Sequence, residues 1–129
     1  MANPLYGQNK ADSEVASSSD VSSYLSSYAA TGTVDSKVVR CIEIAGAGAG
    51  VIALTGARGE DWAGQFVTVY DNSSAGTDAH TFVLSSGTWD GTNNKITLNA
   101  PKEFICCYFN SDGVGSIIEN VGSVALASV

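Results

Sequence analysis

The chain has 129 residues and a formal net charge of −7, and charged residues make up only 15% of it. This length allows one domain with a single core. The basic residues are scattered: Lys10, Lys37, Arg40, Arg58, Lys95 and Lys102. Without a basic patch we expect no nucleic-acid partner. No apolar run approaches the ~20 residues that span a bilayer, so we expect no membrane partner either.

The composition favours a β-rich domain, because Ser, Thr and the 14 glycines are typical of short strands joined by many turns. Three cysteines, of which Cys106 and Cys107 are adjacent, do not make a disulfide framework. The start MANPLYGQNKADSE lacks the charged and apolar regions of a signal peptide. We therefore expect synthesis in a reducing cytoplasm.

Residues 1–33 differ from the rest, since they are rich in serine and poor in β-branched residues. Four apolar residues fall at helical spacing after a possible N-cap at Ser19 or Asp20: Val21, Tyr24, Leu25 and Tyr28. This spacing allows one short helix. The alternative, which the weak helix propensity of serine favours, is an extended arm that a partner surface orders.

From Val34 to Val129 the pattern predicts about eight short strands between turns rich in Gly, Asn, Asp and Ser. The predicted strands are 38–44, 51–54, 65–71, 80–84, 95–98, 103–109, 115–120 and 124–129. Such spacing predicts an all-β fold, an antiparallel sandwich or barrel. Alternation predicts a core of Val39, Ile42, Ile44, Val67, Val69, Phe82, Leu84, Ile96, Leu98, Phe104, Cys106, Ile117 and Val124.

The glycine-rich run AGAGAG at 45–50 resembles a nucleotide-binding loop only superficially. The dinucleotide fingerprint Gly-x-Gly-x-x-Gly opens a helix, whereas here Gly50 comes one residue early and the β-branched Val51 follows. No lysine follows in the manner of a Walker loop. We interpret the run as a flexible connection between strands and expect no cofactor.

Candidate chemistry centres on His80, the single histidine, with Asp78 two residues before it. A pairing of His80 with Cys106 or Cys107 would be one route to nucleophilic catalysis. The alternative, which we favour, is that His80 begins a strand while the cysteines fill core and surface, because no positioned third group is apparent. Without a C-x-x-C spacing there is no zinc motif. We expect no catalytic, cofactor or metal residues and no enzyme.

Two tryptophans, Trp62 and Trp89, lie beside turn residues. Loop tryptophans stack on sugars or anchor protein interfaces. The alternative is that they form a lid over one end of the sandwich, and the sequence leaves both interpretations open.

Two segments carry a family resemblance. The start MANPLYGQNKAD, followed by a Ser-rich arm, resembles the starts of small head proteins of tailed bacteriophages. The segment NNKITLNAPKEFICCYFNSDGVGSIIEN resembles their element of two strands joined by a short proline-containing link, with Asn99 at the place of the first proline.

This resemblance implies a capsid decoration, or cement, protein on the surface of the virion. Such proteins have no catalytic residues, are homotrimeric in many families and bind the lattice of the major capsid protein. By this hypothesis the arm fastens the chain to the capsid through apolar anchors: Leu5, Tyr6, Tyr24, Leu25 and Tyr28. The alternative function is a receptor- or glycan-binding β module of a head fibre or tail structure.

Overall fold

A computed structural model describes residues 24–46, 50–74 and 78–129. These contain ten strands: β1 Leu25–Tyr28, β2 Gly32–Thr33, β3 Cys41–Ile44, β4 Ala53–Thr55, β5 Phe66–Asp71, β6 His80–Val83, β7 Lys95–Leu98, β8 Phe104–Phe109, β9 Gly115–Val121 and β10 Ala125–Ala127. One 3₁₀ turn, Gly59–Trp62, precedes β5. The fold is nearly all-β, as predicted, and all eight predicted strands are present.

The strands form two sheets of five, so the fold is a sandwich. Sheet 1 has the order β1-β3-β5-β8-β9, and sheet 2 has the order β10-β7-β6-β4-β2. The first six strands alternate between the sheets. Between two successive strands of one sheet, the chain passes through a strand of the other sheet. The two successive strands therefore run in the same direction and pair in parallel. Four of the eight pairings are therefore parallel, and only the other four show the predicted antiparallel arrangement.

The two strands that the sequence did not predict lie in the N-terminal arm. β1 pairs with β3, and β2 pairs with β4, so the sheets begin at Leu25 and not at Val34. Leu25–Tyr28 are extended and not helical, because β3 satisfies their backbone: Ala45 donates to the Tyr28 carbonyl at 2.9 Å. The backbone hydrogen bonds to β3 stabilise the extended conformation more than the helical spacing of the apolar residues stabilises a helix, because serine has a weak helix propensity. The predicted anchors Leu5 and Tyr6 lie outside the described residues.

The inner faces of the two sheets enclose one continuous apolar core. At its centre Trp62, Trp89, Phe82 and Phe109 are fully buried and pack edge to face or tilted, with ring centroids 5.0 to 6.4 Å apart. Such aromatic contacts add to the free energy gained by burial alone. The Trp62 indole N–H donates to the Val39 carbonyl at 2.9 Å. Both tryptophans therefore lie inside the core. This position is nearer to the predicted lid over the end of the sandwich than to the predicted exposed loop position.

Ten of the thirteen predicted core residues are buried: Val39, Ile42, Ile44, Val67, Val69, Phe82, Leu84, Ile96, Leu98 and Val124. The prediction was wrong for β8, where Ile105, Cys107 and Phe109 face inward and Phe104 and Cys106 face outward. In the run FICCYF both alternating sets of residues are apolar, so alternation does not identify which set faces the core. Ile117 on β9 is 37% exposed, because this strand projects beyond the core.

Three loops close one end of the core through glycines. A Cβ at Gly59 or Gly87 would collide with the carbonyl oxygen of Gly113, and Gly113 has a φ of 78°. Gly59 N donates to Ser86 O at 2.9 Å, and Thr88 N donates to Gly113 O at 3.3 Å. Only glycine allows these backbones to approach so closely above the tryptophans.

A buried carboxylate, Glu103, ties the β7–β8 link to the β9–β10 turn. It is 4% exposed and accepts hydrogen bonds from the backbone N–H groups of Asn99 (2.5 Å), Ala100 (3.3 Å) and Ser123 (2.6 Å). The Ser123 hydroxyl donates a further bond at 2.8 Å. Burial by itself would raise the pKa of Glu103, but these hydrogen bonds outweigh it and hold the pKa below its usual value.

We expect Phe82→Ala to lower the free energy of unfolding by about 3–5 kcal/mol, because the change leaves a cavity among packed aromatic rings. Phe66→Ala is the matched control, since Phe66 is 60% exposed, and should cost about 1 kcal/mol or less. Urea unfolding of both variants measures the difference. Equal losses would contradict the inner face assigned to β6.

The lowered pKa of Glu103 predicts acid-dependent stability. The carboxylate stabilises the fold above the usual glutamate pKa of 4.5, and this contribution is lost as the pH falls through and below that value. Glu103→Gln should flatten the dependence below pH 4.5 and cost on the order of 2 kcal/mol at pH 7, because an amide donor then faces backbone donors. Unfolding free energies measured across this range test it, with the exposed Glu119→Gln as control; an unchanged pH profile would contradict the role of Glu103.

Candidate interaction surface

The predicted arm anchors do not share one environment. Tyr24 is 55% exposed and Leu25 is 41% exposed. Tyr28 instead packs against the core of its own chain, and its hydroxyl donates to the Thr33 carbonyl at 3.5 Å. Tyr28 is therefore a structural residue of the body, and its replacement by Ala would lower stability. Of the described anchors, Tyr24 and Leu25 are the more exposed.

The residues that suggested catalysis are used in the fold. His80 is buried, and its Nδ1 accepts a hydrogen bond from Ile52 N at 3.0 Å, so this nitrogen carries no proton. The Asp78 carboxylate accepts from Gly50 N at 2.6 Å. Among the described residues, no cysteine sulfur is hydrogen-bonded to His80, and no cluster of His, Cys, Asp and Glu could hold a metal ion.

The tryptophans offer no platform for sugars, because Trp62 and Trp89 are both fully buried. Gly46 and Gly50 of the glycine-rich run lie between β3 and β4, and residues 47–49 of the run lie outside the described residues. The element after it is a strand and not the helix that a nucleotide loop would open.

An apolar surface lies where the sequence did not place one, on the outer face of sheet 1. Val67 and Val69 of β5 are buried, so the alternate residues Phe66, Thr68 and Tyr70 point outward. Residues that lie opposite each other on paired strands form rows across the sheet. One row pairs Phe66 with Tyr108, and another pairs Tyr70 with Phe104.

We call Phe66, Tyr70, Phe104 and Tyr108 the aromatic face. Phe66 is 60% exposed and Tyr108 is 37% exposed, and their ring centroids lie 5.2 Å apart. Lys102 lies over the ring of Tyr70, 5.7 Å from its centroid, and adds a positive charge at the border. The aromatic face thus consists of two rows on adjacent strands, Phe66 with Tyr108 and Tyr70 with Phe104, and the row of Thr68 and Cys106 lies between them.

The rows extend the aromatic face to both edges of sheet 1. The central row runs Leu25, Cys41, Thr68, Cys106 and Glu119 from β1 to β9. The row through Tyr70 and Phe104 ends at Val121 on β9, which is 40% exposed. Leu25, a predicted anchor, therefore lies at the β1 end of the row that runs between the two aromatic rows.

The outer face of sheet 2 has a different chemistry. Its central row consists of Ala53, Thr81, Thr97 and Ala125, and no aromatic residue of the described chain belongs to it. Lys95 lies in the neighbouring row, between Val83 and Ala127. The contrast shows that sheet 1 alone carries a patch suited to burial against a partner.

Sequence analysis missed the aromatic face because it assigned Phe104 to the core. The strand β8 reads Phe, Ile, Cys, Cys, Tyr, Phe, so either parity would make an apolar inner face. The available signal was Tyr108, whose hydroxyl prefers water and which has the same parity as Phe104 and Cys106. Pairing with the outward Phe66 of β5 decides the phase in the structure.

The cysteines divide between the two sides of sheet 1. Cys107 faces the core, and burial, together with the neighbouring Cys106 and Asp90, raises its pKa to about 12. Burial and Glu43 also raise the pKa of Cys41, which lies half-buried on the outer face. Cys106 shares that outer row. This confirms the prediction that the adjacent thiols point to opposite sides.

Comparison of the chain with known protein families, with curated proteins and with solved structures finds no match. In the described ranges no helix is long and apolar enough to cross a membrane. The fold and the surface together define a β-sandwich with aromatic side chains on the outer face of sheet 1. Such an arrangement can bury aromatic side chains against another macromolecule.

We expect iodoacetamide to alkylate Cys106 in the native protein, to alkylate Cys41 more slowly because burial and Glu43 raise its pKa, and to leave Cys107 unmodified until the chain unfolds. A buried thiol with a raised pKa presents almost no thiolate. Peptide mass spectrometry of the native and the urea-unfolded chain measures this, and Cys106→Ser identifies which adjacent thiol reacts. Native alkylation of Cys107 at the rate of Cys106 would show that β8 has the opposite phase.

Proposed function

We propose that this protein is a non-enzymatic structural component of a tailed-phage virion that binds the outside of the capsid and stabilises the lattice of the major capsid protein. The observation that carries the proposal is the aromatic face, two rows of aromatic side chains on the outer side of sheet 1 in a small acidic sandwich. The resemblance of the N-terminal and C-terminal segments to phage head proteins supplies the class of partner.

The energetics of the aromatic face suit attachment to a preformed surface. Fully burying an aromatic side chain contributes about 1.5–3 kcal/mol, and aromatic residues are enriched among interface hot spots. Phe66 and Tyr108 already contact each other on rigid neighbouring strands. Little side-chain entropy is then lost when a partner covers them.

The hydrogen bonds around the reactive side chains support a structural role. His80 uses its unprotonated nitrogen to hold Ile52, and Asp78 holds Gly50. These groups position the connection into β4 and present no base beside an exposed nucleophile. This is the arrangement expected of residues that fix loops.

The arm keeps a part in this proposal, in a modified form. Tyr24 and Leu25 lie at the β1 edge of sheet 1, and β3 separates them from the aromatic face. The predicted anchors Leu5 and Tyr6 would extend the contact beyond that edge. A decoration protein that binds only the assembled lattice stabilises it by mass action, and by the resemblance we propose a homotrimer.

The second candidate is a glycan- or receptor-binding module. It is favoured by one observation, the exposed pair of Phe66 and Tyr108, because aromatic rings on a β-sheet also stack on sugars. Trp62 and Trp89, which first suggested it, do not contribute because they are buried. The same variants test both candidates.

We expect the double variant Phe66→Ala, Tyr108→Ala to bind expanded capsids more weakly than the natural chain by about 30-fold or more, the loss typical of removing interface hot spots. The measurement is cosedimentation with expanded heads, and with procapsids in parallel, from the phage that encodes the chain. The natural chain should pellet with expanded heads only. Bound protein should also be protected from alkylation at Cys106, which lies beside these rings.

The matched control is Val51→Ala, because Val51 is 57% exposed but lies outside the aromatic face. It should bind capsids as the natural chain does, and all variants should retain their melting temperature within a few degrees. Undiminished capsid binding by the double variant would contradict the role of the aromatic face. Retention on host polysaccharide without binding to capsids would favour the glycan-binding candidate.

A further inference from the structure

A lysine, an asparagine and a glutamate form a chain of hydrogen bonds at the border of the aromatic face. Lys102 Nζ donates to Asn72 Oδ1 at 3.1 Å, and Asn72 Nδ2 donates to Glu43 Oε2 at 3.1 Å. The partners are 30 and 29 positions apart in the sequence, so the tertiary structure brings them together. An amine beside an amide, with a carboxylate on the amide nitrogen, supplies a nucleophile, an electrophile and a proton carrier.

Backbone hydrogen bonds fix the positions from which these side chains extend. Asn72 N donates to the carbonyl of Ile44, the residue after Glu43, at 2.7 Å. Lys102 N donates to the carbonyl of Asp71, the residue before Asn72, at 2.8 Å. The amide carbon of Asn72 is one bond from the oxygen that the amine already contacts. Little motion is therefore needed to bring the amine onto that carbon, and such positioning accelerates a reaction within one chain.

Lys102 has an unusual backbone conformation. Its φ is 75°, in the region that favours glycine, and it is the one non-glycine residue with a positive φ in the described ranges. Residues in such conformations persist where the surrounding structure fixes them, and they concentrate at functional sites. The Lys102 side chain lies over Tyr70, with Nζ 5.7 Å from the ring centroid. The ring and the Asn72 amide together hold the amine in place.

The competing nucleophile for Asn72 is turned away. An asparagine also loses ammonia when the backbone nitrogen of the next residue attacks its amide carbon and closes a five-membered ring. Here Ser73 N donates to Asp71 Oδ1 at 2.9 Å, so its N–H points to Asp71 and not to the Asn72 side chain. Lys102 is thus the nitrogen nucleophile that contacts the Asn72 amide.

We propose that Lys102 and Asn72 form an intramolecular isopeptide bond, with Glu43 as the proton carrier. After one proton leaves the Lys102 ammonium for solvent, the Nζ lone pair forms a bond to Cγ of Asn72. Glu43 accepts a second proton from Nζ and delivers it to Nδ2. The bond between Cγ and Nδ2 then breaks and one ammonia molecule leaves, so no oxidant, reductant or co-reactant is consumed. The bond forms once in each chain and does not depend on capsid attachment.

The isopeptide bond ties the end of β5 to the link between β7 and β8. Both β6 and β7 lie in the loop that the bond closes between residues 72 and 102. A covalent tie of this kind restricts the unfolded chain, as a disulfide does, and so stabilises the folded one. The linked chain should therefore have a higher melting temperature than a variant that cannot form the bond.

Mass spectrometry of the folded full chain tests the bond. The chain is incubated at mildly alkaline pH, because the Tyr70 ring favours the charged ammonium and only the uncharged amine attacks. Trypsin should then release residues 59–95 joined to residues 96–129 and lighter by one ammonia molecule, because it does not cleave after a modified Lys102. Absence of the joined peptide after prolonged incubation would overturn the proposal, and so would loss of ammonia without joining.

Three variants separate the roles of the reacting groups. Lys102→Arg keeps the positive charge beside Tyr70, Asn72→Ala removes the amide, and neither should yield the joined peptide. Glu43→Gln still accepts a hydrogen bond from Asn72 but carries no proton, and it should slow bond formation about 100-fold or more. An equal rate in this variant would contradict the role of Glu43.

Two controls show whether the folded geometry is responsible. Lys95→Arg changes a lysine of sheet 2 and should form the bond at the rate of the natural chain. The natural chain unfolded in urea should not form it, because the contact between Lys102 and Asn72 depends on the fold. Equal formation in the unfolded chain would contradict the proposal. These measurements contain no capsid, so their failure is distinguishable from a failure of attachment.

Discussion

The packing of Trp62 and Trp89 between the two sheets is the contact on which the other features depend. Their rings fill the space between Phe82 of sheet 2 and Phe109 of sheet 1. Because Phe109 must reach these rings, β8 turns Ile105 and Cys107 inward and the alternate residues outward. The aromatic face is thus a consequence of the aromatic core.

The path of the chain has a second consequence. The alternation of β1 to β6 between sheets makes each neighbour parallel and carries the N-terminal strands to one edge of both sheets. The hairpins β6–β7 and β8–β9 then reverse the direction, and β9 lies at the opposite edge of sheet 1. β1 and β9 are therefore separated by the full width of sheet 1.

The buried face of a strand was predicted correctly where only one of its two alternating sets of residues is apolar. Val67 and Val69 alternate with a threonine and are buried as predicted. It was wrong for Phe104 and Cys106, because both parities of β8 are apolar and only the partner strand distinguishes them. It also omitted β1, since the serines of Leu25–Tyr28 have weak local preference and become a strand only through pairing with β3.

Of the candidate interaction surface, Tyr24 and Leu25 were predicted, whereas Phe66 and Tyr108 were recognised only in the structure. The sequence by itself determined the all-β class, the positions of eight strands and most of the core, because alternation and turn residues are local properties. Tertiary structure alone decided the parallel pairings, the phase of β8 and the order of the described strands in each sheet. These depend on which strands become neighbours, and that is settled by packing between residues far apart in the chain.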